Sequence, residues 1–174
     1  MDRKSDVGGG GFTLIELLVV VAIIGILMTA VVLAINPAEM MAKSRDSTRF
    51  SDMVLLRQAI DFAVADGAIL TATAAAGDSV SGTQASTGSG WVNLDLSKYL
   101  PALPIDPRNG STFSDAVGNS VTGKYLYFSD GSGYELNCYL ESADNAAKYT
   151  TDGGDSTGGL TIYEVGTDPG LDLM

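Results

Sequence analysis

The chain has no histidine and one cysteine, Cys138. The first absence removes the commonest general base and the commonest metal ligand. The second excludes any disulfide within the chain. Basic residues are also scarce, with 10 Lys and Arg against 21 Asp and Glu and a net charge of −11. The deficit is uneven: residues 1–66 carry six basic and eight acidic side chains, residues 67–174 four and thirteen. So acidic a C-terminal part argues against direct binding of a phosphate backbone, and its charge reads as solubilising. From Leu17 to Ile35 charge is missing altogether, and only Gly25, Thr29 and a few Ala interrupt strongly apolar residues.

That apolar run is long. Phe12 to Ile35 is 24 residues, or about 36 Å of helix at 1.5 Å per residue, more than the roughly 30 Å hydrocarbon core of a bilayer. An ordinary secretory signal has an apolar region of only about 7–15 residues followed by small residues at a cleavage site. Here Gly8-Gly9-Gly10-Gly11 comes first and Phe12-Thr13-Leu14-Ile15-Glu16 opens the run. A carboxylate at the head of a membrane helix is costly unless paired or neutralised, so Glu16 needs a partner. Arg3 and Lys4 precede the span while Lys43, Arg45 and Arg49 follow it, so charge alone does not orient it. Gly25 is a soft point of about 1 kcal/mol relative to Ala and a place for close helix packing. Thr13 falls in the first turn, its hydroxyl available to a local carbonyl.

Asn36-Pro37-Ala38-Glu39 reads as a second helix start, with a capping Asn, Pro at the first helical position and Glu three residues past the cap. Because a helix also precedes it, a kink or short break is expected here. Phe50, Met53, Leu56, Ile60 and Ala63 or Val64 recur at three- and four-residue spacing and form an apolar face. Lys43, Arg45, Asp46, Arg49, Asp52, Arg57 and Asp61 occupy the other faces and are read mostly as solvated surface. Asp66-Gly67 ends the helix.

Gly67–Gly90 is almost all Gly, Ala, Ser and Thr, a long connection in which residues 68–76 are open to extending the helix. Pro101, Pro104 and Pro107 force an extended course. Lys124–Ser129 and Tyr134–Glu141 read as a hairpin around Asp130-Gly131-Ser132-Gly133, and Leu160–Val165 as a third strand. Alternation puts Tyr134, Leu136, Cys138 and Leu140 on one face and Glu135, Asn137, Tyr139 and Glu141 on the other. Cys138 is thus a buried small apolar residue. One long helix against three antiparallel strands is an α+β arrangement.

The Gly8–Glu16 string with its apolar run resembles the amino terminus of type IV pilins and of the pseudopilins of type II secretion. Tyr99–Asn109 and the Tyr125-Leu126-Tyr127, Asp130-Gly131, Tyr134-Glu135-Leu136 pattern resemble the same families. The resemblance implies a type IV pilin-like fold with a leader at 1–11, a transmembrane and filament-core helix at 12–35, its amphipathic half at 36–66 and an exterior domain at 67–174. It implies cleavage between Gly11 and Phe12 by a prepilin peptidase, N-methylation of Phe12, and a mature chain of 163 residues. Glu16 would then pair with the Phe12 amine of a neighbouring subunit during assembly. The implied partners are further copies of the chain, minor pilins or pseudopilins, the inner-membrane assembly platform, and lipid before assembly. The implied location is the cytoplasmic membrane, single-pass with an exterior C-terminal domain, then a pilus or pseudopilus. Many relatives carry a proline in the membrane helix; here the first is Pro37.

Catalysis is not expected. Gly154-Asp155-Ser156-Thr157-Gly158 matches a serine-hydrolase string but has no histidine to serve it. The glycine-rich start lacks the lysine of a phosphate loop. Major pseudopilins bind calcium near the C terminus, and Asp144, Asp152 and Asp155 supply hard oxygen ligands in that region without an EF-hand spacing. No cofactor is otherwise implied. The other reading of these residues is a membrane-anchored extracellular binding module, calcium-binding, that does not polymerise and does not depend on Phe12 or Glu16. Asn109-Gly110-Ser111 is a formal glycosylation sequon.

Overall fold

The structure, a computed structural model, describes residues 11–73, 77–152, 154, 161–167 and 173, apart from the side chains of Leu33 and Ala34. The chain divides into two compact units, Met1–Met40 and Met41–Met174.

The first unit is dominated by helix α1, Leu14–Ile35. Its Leu14–Val32 stretch has a mean hydropathy of 2.8, is long and apolar enough to cross a membrane, and has none of its described residues buried. The Thr29 hydroxyl donates to the Gly25 carbonyl at 3.0 Å, the back-bond by which Thr inside a helix satisfies itself. α1 ends at Asn36, the one non-glycine residue with positive φ (45°) among the described residues. Asn tolerates this left-handed conformation. Its side-chain oxygen then accepts the Glu39 amide at 3.4 Å, and helix α2, Pro37–Ala65, begins with Pro at its first position. The expected break is therefore a single residue.

In the second unit α2 buries Ala42, Asp46, Arg49, Met53, Leu56, Ala59, Ile60 and Ala63. The three- and four-residue spacing that suggested an apolar face is the spacing that packs, with Phe50 partly buried against the core and Val64 exposed. This face meets Trp91, Leu96, Leu103, Tyr127, Leu136, Leu140 and Tyr149 in one cluster. Each fully buried Leu contributes about 1.5–3 kcal/mol relative to exposure. The helix stops at Ala65, so residues 68–73 do not extend it; instead the Thr73 amide donates to the Ser129 carbonyl at 2.7 Å.

Four antiparallel strands run in the order β1 (Gly77–Asp78), β4 (Tyr125–Ser129), β5 (Tyr134–Cys138), β6 (Tyr163–Gly166). A separate antiparallel pair joins β2 (Thr112–Ser114) to β3 (Ser120–Thr122). The α+β, pilin-like arrangement holds, and the sheet has four strands where three were expected. The fourth is a two-residue edge inside the Gly/Ala/Ser/Thr connection, too short to show a periodic signal. β6 starts at Tyr163; Leu160 lies outside the described residues. The β4–β5 turn is as read: Gly131 takes φ 94°, and Asp130 Oδ1 accepts the amides of Ser132 and Gly133, both at 2.7 Å.

The two faces of β5 are as alternation places them, yet neither is left to water: all five residues are buried, Glu135 and Asn137 included. The Leu173 amide donates to Glu135 at 2.9 Å, and Asn137 donates to the same carboxylate. Cys138 is buried as expected, and its surroundings push its thiol well above the ordinary range.

Candidate functional site

Two groups of polar side chains stand out, one at the head of α1 and one inside the second unit. The first is built by the spacing Thr13-x-x-Glu16. Thr13 is extended (φ −79°, ψ 153°) and caps α1. Its hydroxyl accepts the Glu16 amide at 3.3 Å, while its amide and hydroxyl both donate to Glu16 Oε2 at 2.8 Å. This reciprocal capping box satisfies helix donors that have no intrahelical partner. It also holds a carboxylate at the positive end of the helix dipole. The expectation that the Thr13 hydroxyl serves a carbonyl is corrected: it serves Glu16. Gly11 and Phe12 precede the helix, Phe12 is 91% exposed, and a Cβ built on Gly11 would meet no atom within 4 Å. The bond between them is therefore unshielded by the described residues. Residues 1–10 of the expected leader lie outside those residues.

The sequence of this segment was compared with known families. Residues 10–32 match the family described as the prokaryotic N-terminal methylation motif. This is the prepilin-type leader of type IV pilins and pseudopilins. The chain carries a prepilin motif. No curated protein and no solved structure matches it. The motif is that of a pilin-like precursor, a structural protein rather than an enzyme. Within it fall Gly11, Phe12, Thr13, Glu16 and Gly25. In the prepilin motif the structure brings Glu16 to Thr13, a contact whose sequence signature, Thr followed three residues later by Glu, was available.

The second group had no such signature. Arg49, expected on a solvated face, is completely buried. Its Nε and Nη2 donate to the two oxygens of Asp106 at 2.7 and 2.9 Å, and Nη1 donates to Asp46 at 2.8 Å. The Phe113 ring packs between Arg49 and Arg108, 5.0 and 5.2 Å from their guanidinium carbons. Asp46, equally buried, also accepts the amides of Glu141 and Ser142 and the Asn145 side chain at 2.7–2.9 Å. Those residues open the 3-10 helix Ala143–Thr150. Glu141 in turn accepts from Arg45 at 2.6 and 2.7 Å and from Arg108 at 3.0 Å. Burial opposes the Arg49 charge, but the bonds and charges of Asp106 and Asp46 more than offset it and raise its pKa. At Glu141 burial raises the pKa, yet Arg45 and Arg108 prevail and hold it below the ordinary carboxylate range. The cluster ties α2 to the chain before β2 and after β5. Two tyrosines add to it: Tyr125 donates to Asp52 at 2.7 Å and Tyr134 to Asp61 at 2.6 Å. Asp52, read as surface, is pushed upward in pKa, chiefly by burial. None of these groups offers an open reacting position; the arrangement holds the unit together.

Two of the three acidic residues considered for calcium, Asp144 and Asp152, have described contacts. Asp144 is exposed and pairs with Lys43 at 2.5 Å. Asp152 accepts the Glu164 amide at 3.0 Å and the Gly154 amide at 3.3 Å. Asp155 and residues 156–158 of the Gly154–Gly158 string lie outside the described residues. Among the described residues no three acidic or cysteine side chains gather to hold a metal ion. The sequon residue Asn109 is engaged at both ends of its amide, accepting from Ser79 at 2.7 Å and donating to the Ser79 carbonyl at 2.9 Å.

Proposed function

We propose that the chain is a prepilin, the precursor of a structural subunit of a type IV pilus-like or type II secretion pseudopilus filament. It waits with α1 in the cytoplasmic membrane and its second unit outside. A prepilin peptidase cuts between Gly11 and Phe12, and Phe12 is methylated. The subunit then joins copies of itself, with minor pilins or pseudopilins, on an inner-membrane assembly platform. The observation that carries this reading is an apolar helix with none of its described residues buried, headed by a motif-bearing Glu16. Such a surface needs lipid or other helices around it.

The geometry favours Glu16 as the assembly contact. Both bonds it accepts from described residues fall on Oε2, so Oε1 is open to the Phe12 amine of a neighbouring subunit. Gly25 fits the same picture, since a Cβ there would meet nothing within 4 Å. Its smallness is not required by packing within the chain and is accounted for by close approach of another helix. The test is Glu16→Ala in the native host. Membrane insertion is expected to persist while filaments fail; normal filament yield would overturn the role.

A further inference from the structure

We propose that the Thr13–Glu16 capping box fixes the start of α1 so that the Gly11–Phe12 bond stays outside the helix, which makes Thr13 a positioning residue for leader removal. The inference rests on the prepilin reading and deepens it. A peptide bond inside a helix has its backbone groups committed, whereas an extended segment can lie against an enzyme along its main chain. The run after Thr13 is apolar and uninterrupted, and helix propagation along such a run is easy once a turn has formed. Something must therefore set where it starts. Thr13 does so in three ways at once: its extended backbone ends the helix, its carbonyl takes the first helical bond from Leu17 at 3.2 Å, and its side chain takes the Glu16 amide. Glu16 closes the box by drawing in the Thr13 amide. The scissile bond lies one residue beyond the box. Glu16 thus has two separable jobs, a hydrogen-bonding one before cleavage and a charge-bearing one in assembly.

The experiment is cleavage of the full-length precursor in detergent or liposomes by its host's prepilin peptidase, followed at several substrate concentrations. Losing a Thr cap shifts a helix-start equilibrium by about fivefold. If only the correctly started fraction is bound productively, apparent KM rises by the inverse of that fraction. Thr13→Ala is therefore expected to raise KM, by up to about fivefold where the correctly started state is the minor one, with kcat unchanged, and Thr13→Ser to restore it. Glu16→Ala, which removes the other half of the box, is expected to raise KM in the same direction as Thr13→Ala. A merely structural defect would leave a fixed fraction of the precursor uncut at completion, whereas a shifted helix start still lets all of it be cut. Wild-type KM for Thr13→Ala, or equal loss in Thr13→Ala and Thr13→Ser, would overturn the proposal while leaving the prepilin reading intact. Wild-type precursor left uncut, or cut elsewhere, would overturn both.

Discussion

The two units of this chain solve opposite problems. In Met41–Met174 a core of apolar side chains is covered from within, and even the Arg49 pairs with Asp46 and Asp106 are buried. In α1 of the other unit no described apolar side chain is buried: Leu18 is 69% exposed and Ile24 47%. The comparison separates two kinds of stability. The sheet unit holds its own core; on the prepilin reading proposed above, α1 would draw its stability from its surroundings, lipid first and other helices later. Substitutions in one unit should therefore register as loss of fold, and in the other as loss of assembly.

The largest effect expected is at Arg49. Arg49→Ala strands Asp46 and Asp106 as buried unpaired charges, and breaking such a pair costs about 3–5 kcal/mol. Chemical unfolding of the full chain in detergent, followed by Trp91 fluorescence, should shift by that amount while α1 keeps its helical circular dichroism. Next, Leu56→Ala should destabilise the same unit by about 2–5 kcal/mol. Its counterpart Leu18→Ala should leave that unfolding curve unchanged and lower filament yield instead. Equal responses of the two variants would erase the distinction between the units.

A smaller effect concerns acid. The folded pKa of Glu141 lies below its unfolded value, so the unfolded chain binds more protons between the two. The stability from Glu141 is fully present above the ordinary Glu value of about 4.3 and is lost as pH falls through the depressed one. Glu141→Gln should flatten that part of the pH–stability curve. The smallest expected change is Gly25→Ala, which favours the helix by about 1 kcal/mol and should leave the monomer intact while weakening filaments.

Legibility in the sequence followed range. The apolar span, the Asn36-Pro37 break, the packing face of α2 and the β4–β5 turn are all written within a few residues, and each is found. The head of α1 was nearly legible, since Thr13 and Glu16 are three apart. The Arg49 cluster was not, because its partners Asp106 and Glu141 lie far along the chain, Asp106 57 positions away. On α2 alone Arg49 and Asp46 look like any charged helix surface. Glu135 and Asn137 are a similar case: alternation shows that a face is polar, not that Leu173, 38 positions on, bonds to it.

Intact-mass and N-terminal peptide analysis of the native protein tests the central claim most directly. The account predicts a chain that begins at Phe12 and bears one methyl group on its terminal nitrogen. A chain that still begins at Met1, unmethylated, in cells where it is fully expressed would contradict it.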